Sequence, residues 1–172
     1  MAGKERDALR KLAVFRGGFT APAAQTVTQA SWELLDTLVM QSLVEVDPDP
    51  EEPRYRLLEP IRQFAWALSD AAERDAIERR HAAWVVGLAK QASREVLLDQ
   101  ARWTERLEAE HANIETAIEW SLATPGDQSA LRIAGYLGYD WFSTGHGEAL
   151  DWVERASREP GERHPASVPA PS

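Results

Sequence analysis

Residues 43–57 read Leu-Val-Glu-Val-Asp-Pro-Asp-Pro-Glu-Glu-Pro-Arg-Tyr-Arg-Leu, and this stretch decides how the first third of the chain folds. The run 43–46 is strand-like, because it contains two β-branched valines and a leucine. Residues 47–53 hold three prolines and four acidic residues, so they cannot form a regular element. Residues 54–57 alternate between polar and apolar side chains and predict a returning strand. The stretch therefore predicts a β-hairpin with an acidic seven-residue loop.

Two helices are predicted at the start of the chain. Residues 5–15 have apolar side chains at helical spacing. Gly17 and Gly18 interrupt this pattern, because glycine adopts positive φ without strain, and Phe19 is expected in the core. Thr20 is a good N-cap for a second helix, with Pro22 in its first turn.

A third helix is predicted from Ser31 to Gln41, with Ser31 as its N-cap. Its apolar face is expected to consist of Trp32, Leu35, Leu38 and Val39. Three short helices followed by a β-hairpin are the element order of a winged helix, in which the acidic loop is the wing. We therefore assign residues 1–66 to a winged-helix domain.

The remainder of the chain is predicted to be helical. Helices are expected at about 60–69, 74–97, 100–123, 128–143 and 147–158. Residues 159–172 contain four prolines and no hydrophobic periodicity, so we expect a disordered tail. The sequence thus predicts a mainly α protein: a winged-helix domain with a small hairpin, then an α-helical, tetratricopeptide-like hairpin array at 67–158.

Composition limits the classes of function. The 172 residues include no cysteine, which excludes disulfides and thiolate chemistry. The net charge is −9, which argues against a phosphate-binding surface. No apolar run approaches the length of a membrane span, and no signal-peptide pattern opens the sequence. We therefore expect a cytoplasmic protein without a membrane partner.

Several segments together resemble a known family. They are Leu12–Thr20, Leu34–Val39, Ser42–Val44, Arg54–Glu59, Ile61–Ala65, Arg79–Trp84, Leu107–Ile114, Ala130–Gly135 and Gly145–Ala156. In this order they look like the winged-helix and tetratricopeptide-like segment of bacterial STAND-type regulators, the large ATPases often labelled LuxR-family or AfsR-like transcriptional regulators. About 150 residues are covered.

The resemblance implies a regulatory module rather than an enzyme. In that family the winged helix packs on an NTPase module and helps to set its resting or active state, and the helical repeats sense a protein or small-molecule effector. This chain contains no Gly-x-x-x-x-Gly-Lys-[Ser/Thr] motif. We therefore expect no cofactor and no nucleotide binding by the chain alone.

Direct DNA binding is the first alternative. The third helix would be the recognition helix, yet it contains two acidic residues and no lysine or arginine. Base edges are read mainly by Arg, Lys, Asn and Gln, and only Gln41 qualifies here. The acidic wing would also repel phosphates. We accordingly predict weak or absent DNA binding.

A metal-dependent enzyme is the second alternative. Two Glu-x-x-His pairs, Glu78–His81 and Glu108–His111, each lie on a predicted helix, as the metal ligands of di-iron bundles do. The two further glutamates that such a site needs are not evident, and a partly buried histidine on an apolar helix face accounts for each pair. The acidic wing could suggest a Ca²⁺ loop, but its prolines replace the required glycine. We therefore predict no metal site.

An interaction surface is expected at the end of the array. On the predicted helix 147–158, Leu150 packs inward while Trp152 points to where a next repeat would dock. His146 lies in the turn before this helix, and Trp141 lies near the end of the preceding one. An exposed apolar patch favours self-association, so we expect either a homodimer or a tail folded over Trp152.

Overall fold

The computed structural model describes residues 3–47 and 52–144, together with Glu154. Its helices and strands in this part of the chain are α1 Gly3–Leu12, β1 Phe19–Thr20, α2 Ala21–Thr28, α3 Trp32–Met40, β2 Val44–Asp47, β3 Arg54–Leu57, α4 Glu59–Ala67, α5 Ala71–Glu95, α6 Gln100–Ala109, α7 His111–Ala123 and α8 Ser129–Thr144. The predicted fold class is confirmed: the protein is mainly helical, with a small sheet in the winged-helix part and a helical array after it.

The winged helix follows from local signals that the sequence displays. The Thr20 side chain accepts a hydrogen bond from the Ala23 amide and caps α2, which has a proline in its first turn. Strands β2 and β3 pair antiparallel with Asp47 opposite Arg54, so the predicted hairpin is confirmed.

One strand was not predicted. Residues 19–20 form β1 and pair with β3, giving a three-stranded antiparallel sheet in the order β1-β3-β2. Two residues are too few to show alternation in a sequence, and this strand depends on its partner. Gly18, which precedes it, has φ 98°, and a Cβ atom at this position would lie 2.9 Å from the Tyr55 carbonyl oxygen. The close approach of β1 to β3 therefore requires glycine.

Two clusters of buried side chains form the interior. The first lies in the winged helix and extends from Leu9 to Ile77, which belongs to α5. The second lies among α5, α6, α7 and α8. The Trp84 ring packs against both clusters. Because α5 contributes to both, the winged helix and the array share a continuous interior, and the boundary at 66/67 remains a prediction.

The array differs from the sequence-based expectation in one respect. A single helix was expected over about 100–123, but two helices, α6 and α7, meet at Glu110. In contrast, α5 is close to its predicted bounds and starts with a capping box formed by Asp70 and Glu73. The predicted helix 147–158, apart from Glu154, and the predicted tail lie outside the described residues. No helix in the described ranges is long and apolar enough to cross a bilayer.

Candidate functional site

The outer face of α3 combines apolar and acidic side chains. Trp32 is 65% exposed and Met40 is 87% exposed. Glu33 and Asp36 are exposed between them. Leu35 and Leu38 on the opposite side are fully buried and attach the helix to the core. At the position of a recognition helix, this protein therefore presents two large apolar side chains and two negative charges.

The exposure of Trp32 corrects a prediction. The spacing of Trp32 with Leu35, Leu38 and Val39 placed the ring on the core face, and for the other three residues that placement is confirmed. Trp32 is the first residue of α3, and at this helix end it does not belong to the core cluster. Helical periodicity gives the direction of a side chain but not whether another element covers it.

The two arginines of β3 are engaged within the protein. Arg56 Nη2 lies 2.9 Å from Glu45 Oε2 on the neighbouring strand, and both side chains are exposed. Arg54 turns inward, where its Nη1 lies 2.7 Å from Glu110 Oε1 and its Nη2 donates to the Ala109 carbonyl oxygen. Both positive charges next to the wing are therefore paired with carboxylates, which reduces their attraction for phosphate.

A buried polar network, here called the seam network, joins the winged helix to the array. Its centre is Asn113 of α7, which is fully buried. Asn113 Oδ1 accepts a hydrogen bond from the Arg16 amide at 2.9 Å. Its Nδ2 donates to the Gly18 carbonyl oxygen at 2.9 Å and to Glu110 Oε2 at 2.6 Å. One amide side chain thus satisfies backbone groups that lie almost 100 residues away in sequence.

Glu110 completes the seam network and explains the break between α6 and α7. It is 2% exposed, with φ −97° and ψ 2°. One of its carboxylate oxygens binds Arg54 and the other binds Asn113. An uncompensated carboxylate at this depth would be costly, so the chain leaves helical geometry where Glu110 reaches both partners. The seam network thus consists of Arg16, Gly18, Arg54, Glu110 and Asn113.

His81 lies beside this network, where its ring packs against two aromatic side chains. Its ring centroid lies 5.2 Å from that of Phe15 and 5.6 Å from that of Trp84. Its Nε2 atom is buried and has no hydrogen-bond partner among the described residues. Burial lowers the pKa of His81 from 6.5 to about 4; Asn113 opposes this shift in part, and the charge of Arg16 adds to it. The ring is therefore neutral at pH 7, and His81, expected as a partly buried histidine on an apolar helix face, is fully buried.

The two Glu-x-x-His pairs do not come together as metal ligands. The prediction that Glu108 and His111 lie on one helix was wrong, because Glu108 lies in α6 and His111 is the first residue of α7. Glu78 and His81 do lie on one helix, α5. Among the described residues no group of three or more His, Asp or Glu side chains is arranged to hold a metal ion.

The predicted array-end surface is outside the part of the chain that the structure describes. This applies to His146, Leu150 and Trp152. Trp141 belongs to the last turn of α8, and only its backbone is described. Self-association through this surface therefore stays a prediction. Of the wing loop, Asp49 and Glu51 are likewise outside the described residues.

Sequence reasoning missed the seam network. Glu110 and Asn113 were noticed only as part of a segment that resembles the regulator family. A signal was present, since Asn113 lies between apolar residues in a helix where an unpaired amide would be destabilising. The identity of its partners, two backbone groups after α1, could not be inferred from helical spacing.

Comparison with known proteins gives related sequences from mycobacteria. The chain is 34% identical over 157 residues to a protein of Mycobacterium tuberculosis (strain H37Rv) named "Putative HTH-type transcriptional regulator", and equally to a Mycobacterium bovis protein of that name. This match covers 86% of the chain but 18% of the relative. A second M. tuberculosis protein, named "Uncharacterized protein", is 37% identical over 90 residues, which is 47% of this chain and 23% of that protein.

The chain therefore spans about a fifth of the length of the curated relatives that it matches. No protein-family model and no solved structure matches it. The chain is thus similar to a segment of HTH-type transcriptional regulators, at a place that includes both its winged helix and its array.

Proposed function

We propose that this chain is a non-catalytic regulatory and protein-interaction segment of a larger transcriptional regulator. Its winged helix contacts protein rather than DNA, and its helical array receives an effector or a partner. In a STAND-type regulator the protein that meets the winged helix is the NTPase module, whose resting or active state this contact sets. The length of the relatives, about five times the matched segment, leaves room for such modules.

The exposed face of α3 is the observation that carries this proposal. Protein interfaces are rich in Trp and Met at their centre, whereas DNA-reading helices present Arg, Lys, Asn and Gln. This face presents Trp32 and Met40 with Glu33 and Asp36 between them. Since Asp47 of β2 is also exposed, we expect the partner surface to be apolar with a basic rim.

Direct DNA recognition is the second candidate, because the relatives are named as HTH-type regulators. On this view Gln41, which is exposed at the end of α3, would read a base edge. The same helix would place Glu33 and Asp36 next to the phosphates, which is unfavourable by charge.

Selection of DNA from a random duplex library distinguishes the two candidates. The immobilised chain is incubated with the library at low salt, and bound DNA is amplified and sequenced over several rounds. We expect that no sequence is enriched, and that the result equals that of a control selection on carrier that holds no protein. An enriched motif that disappears with Gln41→Ala would establish the DNA-reading function and overturn the proposal.

A further inference from the structure

A cleft lies where the winged helix meets the array, next to the seam network. Its volume is about 340 Å³, and its walls come from the turn that follows α1, from α4, from α5 and from α7. Three arginines line it, together with one carboxylate, Glu78, and the ring of Trp66. Arg62 is paired with Glu59, so Arg16 and Arg74 are the arginines of the wall that a ligand can engage.

Two of these arginines are held in place by the protein. Arg74 donates from Nε and Nη2 to the Trp66 carbonyl oxygen at 3.2 and 2.9 Å, and its guanidinium lies 5.5 Å from the centroid of the Trp66 ring. Arg62 is bound by both oxygens of Glu59 and donates to the Ala13 carbonyl oxygen. Such side chains lose little conformational freedom when a ligand binds.

Arg16 is the cation that is free to respond to a ligand. Its backbone amide is fixed by Asn113, but its side chain is 52% exposed and lies 3.6 Å from an equally exposed carboxylate, Glu119. Exposed pairs of this kind contribute little free energy. The Arg16 guanidinium can therefore exchange Glu119 for a better placed anion at small cost.

Glu78 is the one acidic side chain in the wall. Burial raises its pKa, with a further contribution from Asp75, while Arg74 and Arg16 act in the opposite direction. A group of this kind adapts to a ligand, since it accepts hydrogen bonds when ionised and donates one when protonated.

We propose that this cleft binds a small molecule through its phosphate or carboxylate group, with Arg16 and Arg74 as the main ligand-binding residues and Trp66 as the apolar wall. Arginine suits such oxyanions because its N–H groups match two oxygens at once. The ligand would contact α4 and the turn after α1 on one side and α5 and α7 on the other. Its binding would therefore stabilise the association of the winged helix with the array.

Titration monitored through the amide and indole NMR signals tests this site. Inorganic phosphate and citrate are added separately to the full chain, with chloride used to keep the ionic strength constant. We expect saturable shifts of the Trp66 indole and of the amides of Arg16 and Thr116. The two probes show whether the cleft prefers phosphate or carboxylate.

Three variants give the assay its specificity. Arg16→Gln leaves the described packing intact and should weaken binding about tenfold, as loss of one charge-assisted hydrogen bond does. Arg74→Gln should do the same or more. Arg80→Gln, an exposed arginine of α5 outside the cleft, is the matched control and should bind like the wild type.

Absence of saturable shifts with both probes up to about 10 mM would overturn the proposal. Equal weakening in Arg16→Gln and Arg80→Gln would also overturn it, because the effect would then be general screening. Neither result depends on whether α3 contacts protein or DNA, so this inference and the proposed function fail separately.

Discussion

Single polar side chains determine how the two parts of this molecule are joined. Asn113 holds the backbone after α1 against the start of α7, and Glu110 holds Arg54 of β3 to the same helix. Hydrophobic contacts between α5 and both cores are non-directional, whereas these hydrogen bonds have defined geometry. The position of the winged helix on the array is therefore specified by a few residues.

Replacing Asn113 by alanine should lower the free energy of unfolding by about 3 kcal/mol. The change leaves the Arg16 amide, the Gly18 carbonyl and one oxygen of Glu110 without their buried partner. Urea denaturation monitored by circular dichroism measures this loss of stability. The control is Gln91→Ala, which removes an amide on the exposed face of α5 and should cost under about 0.5 kcal/mol. Similar costs for the two variants would show that the seam network contributes nothing specific.

His81 should make stability depend on pH. Its pKa is about 4 in the folded protein and near 6.5 when the chain is unfolded, so the unfolded chain binds more protons between these values. The contribution of neutral His81 to the free energy of unfolding is complete above about pH 6.5 and falls by about 3 kcal/mol as the pH is lowered towards 4. Urea denaturation at several pH values measures this loss. We expect the His81→Gln variant to lose less stability than the wild type over this pH range. Parallel curves for the two proteins would refute the assignment.

At the scale of helices and strands, the sequence predicted the features that depend only on residues close together in the chain. The cap at Thr20, the hairpin and the breaks at Gly17 and Gly18 are local, and helices or strands follow where they indicate. Strand β1 and the break at Glu110 were missed, because each depends on a partner far away in the chain. Trp32 was misplaced for a related reason: whether its ring is covered depends on neighbouring elements.

Two ion pairs on β3 give a matched comparison at this scale. Arg54–Glu110 is at 2.7 Å with side chains 24% and 3% exposed, and Arg56–Glu45 is at 2.9 Å with 67% and 48%. Double-mutant cycles with Arg→Met and Glu→Gln changes should give a coupling of about 2 kcal/mol for the first pair and under about 1 kcal/mol for the second. Equal couplings would contradict the role given to Glu110 as the anchor between β3 and α7.

At the scale of the whole molecule, the winged helix uses its inner surface to join the array and leaves the outer face of α3 uncovered. The first three helices and the hairpin have the arrangement in which other proteins read DNA. In this protein the charges next to that face are acidic, and the nearby arginines are paired with carboxylates. We therefore propose that surface chemistry, rather than the fold, directs α3 towards protein.

The most direct test is fluorescence anisotropy of a labelled random duplex at low salt, titrated with the wild type and with the double variant Glu33→Lys, Asp36→Lys. We predict no saturation by the wild type up to about 10 μM and measurable binding by the variant, which weakens as salt is raised because lysines on α3 then displace counterions from the phosphates. Binding of the duplex by the wild type at sub-micromolar concentration would contradict the account.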